Sequence, residues 1–594
     1  MPNPGTENLN NPAYINVSVY LSRLASINPF QPAVYYPSGT GHDGRVTYSR
    51  LNYRQLDQES NRIARGLLAS GFIRGMRTAL MVTPSLEFFL LTFAMLKSGI
   101  VPVMVDPGMG ASKLKTCFEE SEIEGFIGVP KAHAARMLLG WGKRSVRRLV
   151  TVFPRGIIWG LSLKSIRDAG ENIPFSEPLA PGFKDTTHPD DLAAINFTSG
   201  STGIPKGVEY THGIFAAQVE LIRSTYGIER GEIDLCTFPL FALFAPALGM
   251  TSVIPDMDFT RPAHVNPENI VRIMEDFGPT NMFGSPALLN TVGRYCKNND
   301  IRFPTLRRVI CAGAPINPSI IEYFSHALTG NTRIHSGYGA TEAMPLASID
   351  SETILNETAA CTIEGKGICV GTPNQGIDID IIPITENSIP EWHEDLRVKP
   401  GEIGEITVRG AVVTQAYFRR DEMTRLTRIF DPETGRFRHR MGDLGWMDEK
   451  GRIWFCGRKS HRVQTQEGDI FTVPVEGVFN AHPDVFRTAL IGLGEPGTEI
   501  PVLCVELETI TRYKDNCCKR RSKRSESDIK RIVHELRDMG SAHLPTKNIH
   551  RFIVHPSFPV DIRHNSKIFR EKLKAWVKAH QNKIIVLHST GNDA

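Results

Sequence analysis

Residues 78–108, TALMVTPSLEFFLLTFAMLKSGIVPVMVDPG, place two continuous apolar runs on either side of a helical segment. The runs TALMVTPS and VPVMVDPG do not alternate between apolar and polar residues, as strands with one face in water do. Strands that are buried on both faces, in a parallel sheet covered by helices, have this composition. The stretch therefore predicts a strand, a connecting helix and a second parallel strand, the repeating unit of an α/β protein.

The same pattern returns further along the chain. Residues 46–72 indicate a strand followed by an amphipathic helix, because Leu56, Ile63 and Leu67 recur near helical spacing and Gly71 is placed to end the helix. More buried strands are predicted at EGFIGVP (124–130), LAAINF (192–197), TNMFGSP (280–286) and LRRVICAGAP (306–315), with helical segments between them. This alternation predicts an α/β fold of the doubly wound type.

The character of the sequence changes after about residue 409. GEIGEITVRG (401–410) and DLGWMDEKGRIWFCGRK (443–459) are short and punctuated by glycine, which is typical of antiparallel hairpins. From about Gly457 strand and helix signals are mixed. We therefore predict a large N-terminal domain, residues 1–456, of doubly wound sheets with a short-stranded β subdomain, and a small α+β C-terminal domain, residues 457–594.

Composition points to a globular protein with a small-molecule partner. The 594 residues are 41% hydrophobic and 22% charged, and a formal net charge of +4 gives no global electrostatic case for a nucleic-acid or membrane-surface protein. Ten cysteines without a CxxC pair argue against a disulfide framework or a cysteine zinc site and favour reduced thiols in the cytoplasm. The start of the chain predicts no secretory signal, and the apolar run FFLLTFAML (88–96) is too short to span a bilayer.

A basic run, KRRSKR (519–524), lies within the polar stretch TRYKDNCCKRRSKRSESD (511–528). Such a run is found in patches that bind nucleic acid or anionic lipid, and also in solvated loops of globular domains. We interpret it as a surface insertion and expect no nucleic-acid partner.

A glycine- and hydroxyl-rich loop follows the strand LAAINF, in the stretch NFTSGSTGIPKGVEYTH (196–212). Glycines let backbone N–H groups turn toward an anion, hydroxyls add donors and a lysine adds charge, so the loop suits phosphate oxygens. Its phosphate-binding candidates are Thr198, Ser199, Gly200, Ser201, Thr202, Gly203 and Lys206. The Walker-type P-loop pattern, GxxxxGK[ST], places its lysine at Lys206 when it is counted from Gly200. The rest of the pattern does not match, because Pro205 stands where the second glycine belongs and Gly207 where the magnesium-binding hydroxyl belongs.

FTSGSTGIPKG resembles the phosphate loop of the adenylate-forming enzymes, which include acyl-CoA synthetases, luciferases and peptide-synthetase adenylation domains. Further segments resemble that family in its order and cover nearly the whole chain. They are VTYSRLNYRQLDQESNRIARGLLASG (46–71), SGYGATEAMP (336–345), GEIGEITVRG (401–410), RMGDLGWMDEKGRIWFCGR (440–458) and NSKIFREKL (565–573). The resemblance implies ATP and Mg²⁺ as cofactors and a small-molecule acid as substrate.

The resemblance also implies roles for particular residues. The aromatic face of Tyr338 suits adenine, Asp443 and Arg458 resemble the pair that binds the ribose hydroxyls, and Glu342 and Thr198 are the metal candidates. The remaining residues of the implied nucleotide pocket are Gly313, Ala314, Pro315, Gly339 and Thr341.

Lys567 matches the catalytic lysine of the small domain in that family. Attack of a carboxylate on the α-phosphorus of ATP brings anions together, so a mobile cation that reaches both suits the reaction. The resemblance implies that the small domain swings on a hinge near residues 458–460 once the adenylate has formed.

Some residues depart from the family pattern. Ser460 replaces an acid at the hinge, and the glycine expected soon after is shifted to Gly468. Ser566 replaces a glycine before the lysine, and Ala242 replaces a histidine in FPLFALFAPALGM (238–250). This last segment is almost wholly apolar, so it favours a long hydrocarbon substrate.

Four segments are similar to the β-lactone synthetases of bacterial long-chain olefin biosynthesis: VPVMVDPGMG (101–110), FIGVPKAHAARMLLGWGK (126–143), FPLFALFAPALGMTSVIPDMDFTRPA (238–263) and DIRHNSKIFREKL (561–573). That subgroup implies that a 2-alkyl-3-hydroxy fatty acid is adenylated and then closes to a β-lactone with release of AMP, and it implies a complex with other enzymes of that pathway. The alternatives are a long-chain fatty acyl-CoA ligase or fatty acyl-AMP ligase, and a non-catalytic adenylate-binding or scaffold protein. His212 and His335 lie near the motifs, and we interpret both as structural histidines.

Overall fold

Two large β-sheets and a smaller C-terminal unit make up the part of the chain that the computed structural model describes. The described residues are 16–153, 159–173, 187–198, 204–508, 510–514, 518–522, 524–560 and 568–587.

The first sheet has the strands of the opening stretch at its centre. Arg77–Met81 and Val101–Met104 pair in parallel, and the helix Leu86–Ser98 connects them, as predicted. Ser85 caps this helix through Phe88 N, and Gly99 ends it in the left-handed conformation. Within the described chain the strand order is Leu161–Ser162, Arg148–Thr151, Gly125–Gly128, Arg77–Met81, Val101–Met104, Leu192–Thr198 and Lys206–Thr211, and only the last pair is antiparallel.

The second sheet is parallel in its middle and antiparallel toward both edges. The parallel part runs from Pro32–Thr40 through Thr251–Val253, Ile233–Cys236, Asn281–Gly284 and Arg308–Cys311 to Arg333–Ala340, and Val46–Asn52 adds an antiparallel edge. The strands from residue 343 onward continue the same sheet and pair antiparallel. In spatial order they are Ala343–Asp350, Ile368–Pro373, Ile453–Arg458, Arg436–Met447, Gly404–Arg409 and Asp378–Ile382, with Arg428–Asp431 beside Arg436–Met447.

Helices cover both sheets, which confirms the α/β prediction. Tyr53–Ala69 begins with a capping box formed by Asn52 and Gln55, and it buries Leu56 and Ile63 as its spacing predicts. The other α-helices of this described part are Val19–Ile27, Leu86–Ser98, Ala111–Glu120, Pro130–Leu139, Leu163–Glu171, His212–Tyr226, Pro239–Ala242, Phe244–Leu248, Pro267–Phe277, Pro286–Asn299, Pro318–Ser325, Ser351–Thr353, Ala359–Ile363 and Asp421–Thr427. Among the helices of the described residues, none has the length and apolar character needed to cross a bilayer.

The C-terminal unit has its own sheet and core, in agreement with the predicted α+β class. Its described strands are Val463–Thr465, Gly468–Ile470, Val485–Leu493, Ile500–Leu507, Ile510–Lys514, Cys518–Ser522, Arg551–Val554 and Ile585–Val586, and its α-helices are Thr472–Phe479, Glu526–Ser541 and Arg570–Ala579. Phe479, Leu503, Ile532 and Phe552 belong to one buried cluster between the sheet and the helices. The predicted surface insertion contains the two-stranded hairpin of Ile510–Lys514 and Cys518–Ser522.

A short 3₁₀ turn, Lys459–His461, links the second sheet to this unit. The Lys459 ammonium donates to Glu405 at 3.1 Å and to the carbonyl of Thr385 at 2.9 Å. Arg462 pairs with Glu386 at 3.2 Å and with Asp469 at 2.8 Å. Side chains on both sides of the predicted hinge are therefore tied to the large sheet, and Ser460 between them is exposed.

Candidate active site

The predicted phosphate loop lies at the carboxyl end of a strand, where open α/β sheets bind ligands. Thr198 ends the strand Leu192–Thr198 and is paired in register with Lys206, the first residue of the returning antiparallel strand. A Walker P-loop leads into a helix, so this strand-loop-strand arrangement agrees with its exclusion. Five loop residues and the predicted catalytic lysine fall outside the described part of the chain. They are Ser199, Gly200, Ser201, Thr202, Gly203 and Lys567.

Tyr338, Asp443 and Arg458 form one group, as the ribose and adenine assignments require. Asp443 and Arg458 stand directly opposite each other on antiparallel strands. The Tyr338 hydroxyl donates to Asp443 Oδ2 at 2.7 Å, and Arg458 Nη1 lies 3.0 Å from Asp443 Oδ1. Burial raises the pKa of Asp443, with Arg458 opposing that shift, and the Asp443 charge raises the pKa of Arg458.

One oxygen of the buried Asp443 is left without a hydrogen-bond donor among the described residues. Arg458 Nη1 is close to Oδ1 but directs its hydrogen bond to the carbonyl of Met441, 3.1 Å away. The interaction with Arg458 is thus an ion pair rather than a hydrogen bond. A buried carboxylate oxygen of this kind is costly unless a donor reaches it, and a ribose hydroxyl is such a donor.

Thr341 and Glu342 form the two-residue turn between the strands Arg333–Ala340 and Ala343–Asp350. A Cβ atom on Gly339 would lie 2.8 Å from the carbonyl oxygen of Ala343, so the turn needs glycine there. The turn projects from the carboxyl end of a parallel strand, and Tyr210 of the strand Lys206–Thr211 in the other sheet donates its hydroxyl to the carbonyl of Thr341. Gly313, Ala314 and Pro315 follow the neighbouring parallel strand Arg308–Cys311 at the same edge, and Gly313 has a positive φ of 93°.

Both the carboxylate and the backbone of Glu342 are held by a segment that sequence reasoning missed. The Tyr417 hydroxyl donates to Glu342 Oε1 at 2.7 Å. The backbone N–H and the hydroxyl of Thr414 both donate to the carbonyl of Glu342 at 2.9 Å. Glu342 Oε2 accepts no hydrogen bond from the described residues.

The buried Arg428 holds this segment, residues 414–417, through hydrogen bonds and a contact with the Tyr417 ring. Arg428 Nη2 donates to Thr414 Oγ1 at 3.0 Å, its Nε donates to the carbonyl of Gln415 at 3.2 Å, and its guanidinium carbon lies 5.4 Å from the centre of the Tyr417 ring. Burial lowers its pKa. No motif marks Thr414, Tyr417 or Arg428, so only their contacts reveal them.

Lys206 is a partly buried cation that forms no salt bridge with the described residues. Its Nζ lies 5.3 Å from the centre of the Tyr417 ring and 3.4 Å from the sulfur of Met423. Burial lowers the pKa of Lys206, and the Glu342 charge opposes that shift. An anionic ligand beside it would supply the charge that the protein does not.

Aromatic side chains connect the turn to an apolar cluster. Tyr210 donates its hydroxyl to the carbonyl of Thr341 and stacks on Phe215 at 4.8 Å. Phe244 lies 6.3 Å from Phe215, and Phe241 stacks on Phe283 at 4.2 Å. The predicted apolar stretch 238–250 therefore packs beside the site, and Ala242 within it is fully buried.

The two histidines near the motifs, His212 and His335, pack against residues of the fold. The buried His212 accepts a hydrogen bond from the backbone N–H of Val17 at 3.2 Å, and burial lowers its pKa to about 4. His335 packs edge-on against Tyr226 at 5.7 Å, and burial lowers its pKa too. Both agree with the structural interpretation.

Comparisons with known proteins identify the family. The profile of the family described as "AMP-binding enzyme" matches residues 23–418. A protein of Xanthomonas campestris pv. campestris named olefin beta-lactone synthetase is 44% identical over 94% of this chain and 97% of its own length. A long-chain-fatty-acid–CoA ligase of Escherichia coli O157:H7 is 24% identical over 77% of this chain and 81% of its own.

A solved structure gives independent support for the fold. The anthranilate CoA ligase AuaEII, in complex with anthranoyl-AMP, superposes with a TM-score of 0.73 at 18% identity over 96% of this chain and 99% of that one. The resemblance drawn from the motifs is thereby confirmed: this chain belongs to the family of AMP-binding enzymes, within which it is an adenylate-forming ligase.

Proposed function

We propose that this enzyme joins a long-chain hydrophobic carboxylic acid to the α-phosphorus of ATP, releases pyrophosphate, and then closes a 2-alkyl-3-hydroxy fatty acid to a β-lactone. In the first step a carboxylate oxygen bonds to the α-phosphorus and the bond to pyrophosphate breaks. In the second step the 3-hydroxyl oxygen bonds to the acyl carbon, the bond to AMP breaks, and the hydroxyl proton leaves. The tethered nucleophile gives this closure a large proximity advantage.

One observation supports the adenylation step: two hydrogen-bonded pairs, each of an acidic residue and a tyrosine, lie at the same edge of the sheet. Tyr338 and Asp443, with Arg458, offer a stacking face and a buried acceptor for adenosine. Glu342 and Tyr417, with Lys206, offer an acid and an unpaired cation for the phosphates. The residues Thr198, Ser199, Gly200, Ser201, Thr202, Gly203, Gly313, Ala314, Pro315, Gly339 and Thr341 complete the proposed nucleotide site.

The residues at the turn fit Mg²⁺. Carboxylate and hydroxyl oxygens are the ligands that Mg²⁺ prefers, and Glu342 keeps one carboxylate oxygen without a donor in the described structure. Glu342 and Thr198 would hold the ion. When bound, it would neutralise charge on the phosphate oxygens.

Similarity to named relatives favours the hydroxy-acid substrate over the fatty acyl-CoA or acyl-AMP alternative. The relative named olefin beta-lactone synthetase matches this chain over nearly its full length and is far more similar than the CoA ligase. The phenylalanine cluster that reaches Thr341 through Tyr210 suits the hydrocarbon chain that all of these substrates share, rather than a polar acid.

The remaining expectations complete the proposal. Residues 457–594 form the small domain that brings Lys567 to the reacting phosphate and carries it away by rotation at residues 458–460. The protein works in the cytoplasm, in a complex with enzymes that make the hydroxy acid and consume the lactone.

Mass spectrometry tests the proposal directly. A racemic 2-alkyl-3-hydroxy fatty acid is incubated with ATP and Mg²⁺, with and without coenzyme A. We expect a product lighter than the acid by one water, together with AMP, in both mixtures. A product that forms only with coenzyme A would assign the enzyme to the CoA ligases, and absence of both AMP and pyrophosphate with every acid would refute adenylation.

A further inference from the structure

The helix Pro130–Leu139 ends in an apolar tip, which we define as residues 137–139. Met137, Leu138 and Leu139 are 58%, 86% and 41% exposed. Leu138 is the most exposed large hydrophobic residue in the described part of the chain. Single apolar side chains on a surface are ordinary, whereas three in succession at a helix end form a contiguous exposed apolar stretch that calls for an explanation.

The fold holds the tip outward. The buried side chain of His133 donates its Nε2–H to the carbonyl of Val150 at 3.0 Å. After the tip, Gly140 and Gly142 both have positive φ, and the buried Trp141 between them packs on Phe118 at 5.5 Å. With the chain anchored on both sides, the three apolar side chains cannot fold back into the core.

Basic side chains surround the tip. Residues 131–148, KAHAARMLLGWGKRSVRR, contain six Lys or Arg and no Asp or Glu, although the whole chain carries a net charge of only +4. Lys131, Lys143, Arg144 and Arg147 are exposed, and none of them pairs with a carboxylate of the described residues. Lys131 lies seven residues before Leu138 and so shares its face of the helix. The apolar tip thus lies in a basic segment in which these four side chains form no salt bridge with the described residues.

We propose that the apolar tip and these four basic residues dock the enzyme on an anionic lipid bilayer. The tip enters the boundary between headgroups and acyl chains, and the ammonium and guanidinium groups contact lipid phosphates. None of these residues belongs to the proposed nucleotide site, and the proposal does not depend on the reaction. A bilayer is also where a long-chain acid concentrates.

The chemistry of the patch favours lipid over other anionic partners. Single-stranded nucleic acids are bound through aromatic faces on which bases stack, and the tip is aliphatic. A specific protein interface needs a larger, shape-matched surface. A bilayer accepts a small apolar projection with a ring of cations and requires no pocket.

Vesicle sedimentation of the full chain tests the proposal. We expect the protein to pellet with vesicles of equal phosphatidylglycerol and phosphatidylethanolamine, to bind phosphatidylcholine vesicles at least about tenfold more weakly, and to be released by salt. Leu138→Ser should weaken binding roughly tenfold because it removes the most deeply inserted side chain. Lys143→Glu with Arg144→Glu should weaken it by more than about tenfold.

Leu544→Ser is the matched control, because Leu544 is 78% exposed on the C-terminal unit, away from the tip. It should leave vesicle binding unchanged, and all variants should keep the wild-type thermal midpoint and exchange of pyrophosphate into ATP with detergent-dispersed acid. Equal binding to both vesicle types, or wild-type binding by Leu138→Ser, would overturn the proposal. Absence of vesicle binding together with saturable binding of an acidic peptide would assign the patch to a protein partner instead.

Discussion

The Tyr417 hydroxyl donates a 2.7 Å hydrogen bond to the carboxylate of Glu342, a residue 75 positions earlier in the chain. The bond fixes one carboxylate oxygen and leaves the other for a ligand. Since Thr414 holds the carbonyl of the same residue, the turn is fixed by both its backbone and its side chain. This pre-organisation is what a metal or phosphate site requires.

Tyr417→Phe should therefore impair the use of Mg²⁺. Loss of a hydrogen bond to a charged group costs about 1.5 kcal/mol or more, so the Mg²⁺ concentration for half-maximal pyrophosphate exchange should rise about tenfold. Tyr323→Phe is the control, because Tyr323 lies on the outer helix Pro318–Ser325. An unchanged Mg²⁺ requirement in Tyr417→Phe would show that Glu342 does not act through the metal.

Asp443→Asn should weaken ATP binding. The amide keeps an acceptor for Tyr338 but removes the charge that pairs with Arg458 and that accepts a ribose hydroxyl. We expect the KM for ATP to rise by about tenfold, with a smaller change in kcat. The exposed Asp258→Asn should change neither constant. If Asp443→Asn lowered kcat alone, the ribose assignment would be wrong.

Lys567→Ala should abolish adenylation while ATP still binds. The lysine would stabilise the charge that develops between carboxylate and phosphate in the transition state, and would not contribute to the binding of ATP. The rate of pyrophosphate exchange should therefore fall by a factor of about 10² or more, while the ATP dissociation constant stays the same. Lys572→Ala, on the exposed side of the helix Arg570–Ala579, is the matched control. Wild-type exchange by Lys567→Ala would remove that residue from the catalytic step.

His212 should make the fold sensitive to acid. Its pKa is about 4 in the folded state, below its ordinary value of 6.5, because burial disfavours the charged form of the ring. The unfolded chain therefore binds a proton that the folded chain does not between pH 6.5 and 4, and stability falls as the pH is lowered through this window, by roughly 3 kcal/mol at most.

The measurement is the thermal midpoint as a function of pH. His212→Gln keeps an acceptor for the N–H of Val17 but cannot take up a proton, so its midpoint should decline less between pH 6.5 and 4 than that of the wild type. Parallel curves for the two proteins would show that His212 does not contribute to the acid sensitivity.

The regular elements of the parallel sheets could be predicted from local pattern. Leu86–Ser98 and its two flanking strands follow from apolar runs with clear end signals, and Tyr53–Ala69 follows from helical spacing and an N-cap. The joining of the antiparallel strands to the parallel sheet could not be predicted. Ala343–Asp350 pairs on one side with the last parallel strand, and no local pattern specifies a partner across a sheet.

The candidate site divides in the same way. Tyr338, Glu342, Asp443 and Arg458 lie in segments with recognisable motifs, and the structure brings them to one sheet edge. Tyr417 and Arg428 lie in segments without a motif, and each acts through a contact with a residue elsewhere in the chain. Separation along the sequence does not reveal which residues meet in space, so these contacts could not be predicted.

The ion pairs of the linker bear on the proposed rotation at residues 458–460. Lys459 is tied to Glu405 of the large sheet, whereas Arg462 is tied to both units, through Glu386 and Asp469. A rotation that leaves Lys459 in place turns about the exposed Ser460 and must exchange the Arg462–Glu386 contact for water. Ser460 would then be the pivot, and the Arg462–Glu386 ion pair would break and re-form with each rotation.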